Sequence, residues 1–217
     1  MINPLDIKKT EHGNWLRSLT LMAQGLYTFT TGATSIDVLL RIQGYPFLVT
    51  DTTVAAGGTD SINFTGALGS HPLYAILFDI APETDAVECI LRTGAGGSYS
   101  SGASDYLWAS YFAASDTGTG NQVDAADSEI RLGNSIGNAA GEHISGLVLI
   151  PMPSGTTYAK RAYGVTGSTD SGAVELGRFF SGRRAATTAI TDVQLLFDSG
   201  QVAADSRASL YAFPGTE

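Results

Sequence analysis

Short apolar or alternating runs recur from one end of the chain to the other, each bounded by Gly, Ser, Thr, Asp or Pro, and a helical period is hard to find. The pattern predicts strands over residues 19–30, 36–42, 61–64, 73–80, 87–92 and 106–112, and again over 128–132, 144–150, 157–165, 174–180, 189–197 and 208–213. Alternation is clearest at 192–197, where Val193, Leu195 and Phe197 point to one side and Asp192, Gln194 and Leu196 to the other. By contrast L-Y-A-I-L-F-D-I at 73–80 is apolar almost throughout, which predicts a central strand covered on both faces, by a second sheet or by a neighbouring subunit.

The segments between these runs carry turn chemistry: A-A-G-G-T-D at 55–60, G-A-G-G-S-Y-S-S-G at 94–102, D-T-G-T-G-N at 116–121 and G-S-T-D-S-G at 167–172. None has the length or bias of a linker, and no internal repeat is visible. The last two runs, joined by S-G-Q-V-A-A-D-S-R, predict a terminal hairpin whose Leu210 or Ala212 closes the core. Many short antiparallel strands predict an all-β fold, a two-sheet antiparallel sandwich of jelly-roll type. A boundary near Tyr45-Pro46 divides an N-terminal arm or strand, 1–45, expected to attach or oligomerise, from the sandwich at 46–217.

Composition narrows the role. The 217 residues are 43% hydrophobic and 15% charged, with 26 glycines, which suits one large β domain and also accommodates two small ones. A formal net charge of -9 argues against nucleic acid as a partner, because phosphate binding needs a surplus of Lys and Arg on one face. The single cysteine, Cys89, excludes an internal disulfide, and its alternation with Val87 and Leu91 marks it as a small core side chain. The opening M-I-N-P-L-D-I-K-K-T-E-H lacks the apolar core of a signal peptide, and no run approaches the roughly 18 apolar residues of a membrane span. The expectation is a soluble chain with no secretion label and no membrane partner.

Several pieces, in this order, resemble a jelly-roll module that recurs in structural proteins of tailed bacteriophages. They are L-V-T-D-T-T-V-A-A-G-G-T-D-S-I-N-F-T-G at 48–66, Y-A-I-L-F-D-I-A-P-E-T-D at 74–85 and L-R-T-G-A-G-G-S-Y-S-S-G-A-S-D-Y at 91–106, followed by H-I-S-G-L-V-L-I-P-M-P at 143–153 and the closing run at 189–211. The chain departs from the family's usual Leu-Tyr-Gly ending with Leu210-Tyr211-Ala212, and residues 1–45 have no counterpart. The resemblance implies a virion location, in a tail fibre, a tail tip, a head spike or a capsid decoration. It implies a non-enzymatic structural protein that forms a homo-oligomer, a trimer in most such appendages, and touches other virion proteins. The alternative function is a receptor-binding module whose loops hold a host cell-surface glycan through Trp108, Tyr99 or the acidic segment.

Candidate chemistry is thin beside this. His12, His71 and His143 show no zinc-ligand spacing. Residues 116–129 offer Asp116, Asn121, Asp124, Asp127 and Glu129, oxygen donors suited to calcium, but their spacing does not fit an EF-hand, and a solvated acidic loop is expected. Glu83, Asp85 and Glu88 are the carboxylates a glycosidase would draw on. No G-x-S-x-G elbow occurs, and G-A-G-G-S-Y lacks the G-K-[ST] ending of a phosphate loop, so it reads as a hairpin turn. Asn63-Phe64-Thr65 is a glycosylation triplet placed inside a predicted strand. Tyr106, Trp108 and Phe112 share one strand face, a core arrangement. These readings assign no catalytic, cofactor-binding or metal-ligating residue. One local charge inversion stands out: Lys160, Arg161, Arg178, Arg183 and Arg184 against Asp170 and Glu175, either a basic patch suited to an acidic neighbour or scattered solvated arginines.

Overall fold

Period-two alternation dominates the molecule. In this structure, a computed structural model, residues 46–116 and 118–215 are described. They form thirteen strands and no helix. The larger sheet holds eight of them, β1 (Phe47–Thr53), β3 (Leu73–Ile80), β6 (Tyr106–Ala114), β7 (Gly118–Asp127), β9 (Ile144–Pro151), β10 (Arg161–Thr169), β11 (Glu175–Arg184) and β13 (Arg207–Phe213), in the order β1-β13-β3-β9-β10-β11-β6-β7. The smaller sheet runs β2 (Ser61–Phe64), β12 (Asp192–Phe197), β4 (Val87–Ala95), and β4 also pairs with β5 (Ser98–Tyr99) and β8 (Ile130–Ile136).

The order is that of a jelly roll. β1 lies beside β13, β2 beside β12, β3 beside β9 and β4 beside β8, so the first half of the chain meets the second half in reverse, as a ribbon rolled on itself. Two hairpins added to this ribbon, β6–β7 and β10–β11, extend the larger sheet beyond β9. The expected two-sheet sandwich is therefore present, and the two sheets face one another through their apolar sides. Tyr74, Ile76, Phe78 and Ile80 of β3, with Leu210 and Ala212 of β13, are buried on one side. Val193, Leu195 and Phe197 of β12 are buried on the other, with Ile62 and Phe64 of β2 beside them.

The added strands curl over β8, the edge of the smaller sheet. Thr166 Oγ1 donates to the Leu132 carbonyl at 2.8 Å, occupying a backbone acceptor on the strand's outer edge. Gly182 lets β11 approach closely, because a Cβ there would sit 2.6 Å from the Ile130 side chain. Arg178 of β11 is buried against the same edge. Its Nη2 donates to Asn134 Oδ1, and its Nη1 donates to Ser110 Oγ at 2.8 Å and Gln122 Oε1 at 2.9 Å. The Phe112 ring lies 5.3 Å from its guanidinium carbon.

Three expectations are corrected. The closing segment is not a hairpin: β12 and β13 belong to different sheets, and 198–206 crosses the end of the sandwich between them. Val202 explains the route, since it is fully buried and bridged to both Thr59 and Pro82, so the connection is anchored as part of the core. The acidic segment at 116–129 is not a loop, because most of it is the edge strand β7, paired along β6. The strand placed at 157–165 begins later, at Arg161, because Lys160 and the residues before it form the connection from β9. The turn at Gly96-Gly97 is as expected, with φ of 64° and 79°, a left-handed pair that glycine adopts without strain and that suits a tight hairpin. The N-terminal segment 1–45, with its predicted strands at 19–30 and 36–42 and with His12, lies outside the described residues.

Candidate functional site

Alternation gives each sheet one face toward the core and one away from it, and the two outward faces differ. On the smaller sheet the outward residues are mostly polar and partnered, Leu196 and the buried Ile90 apart. Gln194 Nε2 donates to Ser61 Oγ at 3.2 Å and Asn63 Oδ1 at 3.0 Å, across the β2–β12 pair. Arg92 pairs with Glu129 and Arg131 with Glu88, each at 2.8 Å, and Arg131 also stands over the Trp108 ring at 5.1 Å. Burial lifts the Glu88 carboxyl above the usual range more than Arg131 lowers it, with Asp198, Glu129 and Asp127 adding to the rise.

On the larger sheet the centre of the outward face is mostly apolar, and much of it is exposed. The register sets Leu77 of β3 beside Leu147 of β9, then Val165 of β10, Phe179 of β11 and Tyr111 of β6, one unbroken row across five strands. A second row runs alongside through Ala75, Leu149, Tyr163, Ser181, Ala109 and Val123. Phe179 is 67% exposed, Val123 69%, Tyr111 52% and Leu77 49%. Neither row contains a charged residue. Single exposed apolar side chains are ordinary, but a contiguous patch of this kind marks a contact surface.

A basic corner bounds the patch. Arg161 and Arg183 are opposite one another in the β10–β11 register and both are exposed, and the Arg184 N–H donates to the Lys160 carbonyl at 2.8 Å, so four of the five basic residues singled out by sequence come together. The fifth, Arg178, lies apart from them, buried against β8. Neither Arg161 nor Arg183 forms an ion pair with a described residue, and the buried Nη1 of Arg184 has no acceptor among the described residues. Lys160 is itself buried, its ammonium donating to the Tyr158 and Thr187 carbonyls at 2.8 Å and 3.2 Å. Burial, and then the neighbouring Arg184, pushes its pKa down. Between Arg161, Arg183 and Val123 the face dips into a shallow depression of about 370 Å³ floored by Ala109 and Ser181.

The other candidates do not converge. Trp108 is buried and its Nε1 donates to Asp127 Oδ2 at 2.8 Å, so its ring is not available to stack on a sugar, and Tyr99 sits with its hydroxyl 3.1 Å from Thr65 Oγ1. Asp124 accepts from the Ala126 N–H and Glu129 is held by Arg92 and Ser128. Among the described residues no three His, Cys, Asp or Glu side chains gather as a metal site would require. His71 packs edge-on against Tyr74, and His143 lies 3.5 Å from Asp79, at the start of β9. Glu83 and Asp85 are exposed on the turn before β4, whereas Glu88 is engaged with Arg131. Sequence reasoning missed the bare face, because its residues lie on six separate strands and only the register joins them. No family model, curated protein or solved structure matches the chain.

Proposed function

We propose that the protein is a bacteriophage virion structural protein, a non-enzymatic, homo-oligomeric appendage or decoration of tail or head, with three copies in the assembled form. The contrast between the two outward faces is the observation that supports it. One face carries mostly polar side chains that pair with one another; the other offers aromatic and aliphatic side chains that lower their free energy by being covered. The sequence resemblance to phage jelly-roll modules supplies the virion setting. In that setting the work is contact: rigid sandwiches present surfaces to copies of themselves and to other virion proteins, with loops left for the host. The test is mass spectrometry and gold-labelled antibody on purified particles from a culture carrying the gene. The reading predicts stoichiometric chain on the particle, and its absence from particles overturns it.

A second reading, recognition of a host-surface carbohydrate, draws on the depression beside Arg161 and Arg183, where two guanidinium groups flank a floor of Ala109 and Ser181, with Asp124 also in its lining. It predicts saturable binding of an acidic polysaccharide that an Arg161→Ala, Arg183→Ala variant loses. An empty glycan array removes it.

A further inference from the structure

From the bare outward face of the larger sheet we infer that a second copy of this chain docks there, through the rows centred on Phe179 and Tyr111. The inference rests on the structural reading above and names the surface that reading needs.

Size is the first argument. Strands about 4.8 Å apart put the six columns from β3 to β7 across roughly 29 Å, and three rows about 7 Å apart along the strands give roughly 20 Å. The product, roughly 580 Å², is about three-quarters of the ~800 Å² that each partner contributes to a standard stable interface.

Shape is the second. A third outward row, beside Leu147, Val165, Phe179 and Tyr111, consists of Ser145, Gly167, Gly177, Ala113 and Thr119. Small side chains here leave a flat shelf next to the protruding Phe179, a knob and a platform on one surface. Gly177 and Gly167 are opposite one another, and neither would bring a Cβ within 4 Å of any other described group, so their smallness answers no need among the described residues.

Charge selects the occupant. The middle of the face is neutral, and its charged residues stand at the margins: Arg161 and Arg183 at one end of the strands, Asp79 and Arg207 at the other. A protein with 21 acidic and 12 basic residues presents carboxylates over most of its surface. A second copy therefore brings acids to Arg161 and Arg183, which form no ion pair with a described residue, while the neutral centre avoids setting like charges against each other.

The experiment is sedimentation velocity on the full chain at micromolar concentration, with Phe179→Asp, Gly177→Arg and, on the polar face of the smaller sheet, Asn63→Arg as a control. Phe179 is two-thirds exposed and Gly177 has open space, so both variants keep the wild-type circular dichroism and melting curve. Gly177→Arg is the decisive one, since it removes no contact within the subunit. The inference predicts that wild type and Asn63→Arg assemble alike and that each face variant weakens assembly at least about tenfold. Folded face variants that assemble as wild type overturn the inference and leave the oligomeric reading standing on another surface. A monomeric wild type overturns both. Wild type that is monomeric alone, yet whose particle incorporation is lost in Gly177→Arg, assigns the face to another virion protein and overturns the second copy.

Discussion

Arg178 on β11 donates through Nη2 to Asn134 on β8, a hydrogen bond that ties the added strands of the larger sheet to the edge of the smaller one. The arginine is buried without a carboxylate, and burial, with Arg131 nearby, lowers its pKa to about 10 even though Glu88 favours the charged form. What keeps the charge inside is the set of oxygens on Ser110, Gln122 and Asn134 and the Phe112 ring. Because the extension carries most of the bare face, this junction holds the face to the jelly roll.

Removing one of these acceptors leaves a buried cation short of a partner. Asn134→Ala should destabilise the fold by about 1–3 kcal/mol, measured as a lower urea midpoint. A midpoint within error of wild type would show that Arg178 is held by its other partners alone.

Asp192 begins β12 fully buried, and its carboxylate accepts from the Gly66 and Gly97 N–H groups and from Thr191 Oγ1, which fastens two turns to the end of the sandwich. Burial alone would raise its pKa, but the three hydrogen bonds outweigh it and hold the carboxyl below its usual value. A depressed folded pKa stabilises fully above the unfolded value of about 3.9, and this contribution fades as pH falls below that toward the folded value. Asp192→Asn should therefore lower stability at pH 7 by about 2 kcal/mol. It should also flatten the fall in urea midpoint below pH 4, and an unchanged acid limb would refute the assignment.

Ala173 takes a left-handed conformation, φ 60°, in the turn between β10 and β11. An alanine pays about 1 kcal/mol for that backbone, which glycine avoids. Ala173→Gly should raise the melting temperature by a few degrees. A lower melting temperature would mean that unfolded-state entropy outweighs the strain.

Cys89 is fully buried, and burial pushes its thiol pKa upward. A thiol reagent should label it only at the rate at which the sandwich opens, and in urea at once. Fast labelling of the native protein would mean that the core between β4 and β8 opens readily.

How much of this was legible in sequence follows from what each signal encodes. β2 and β3 appear with the predicted bounds because their runs end at turn residues, and Leu210 and Ala212 are buried as alternation required. β7 was hidden: G-T-G-N-Q-V-D-A-A-D has no continuous apolar side, because an edge strand of this kind is paired on one side only and wet on both faces. A hairpin and a crossing between sheets read the same along the chain, and only Val202 inside the polar segment hinted at the difference. Residues 73–80 read as covered on both faces by a second sheet or by a neighbouring subunit; Leu77 is about half exposed, so among the described residues no second sheet covers that face. The charge inversion at 160–184 was visible, but strand register alone separates the exposed Arg161 and Arg183 from the buried Arg178.

The central claim, that this chain is a building piece whose bare sheet face is covered by its own kind, is tested most directly by sedimentation equilibrium of the unmodified full chain over micromolar concentrations. The account predicts a reversible oligomer, three copies in the assembled form. A single-copy mass throughout that range would contradict it.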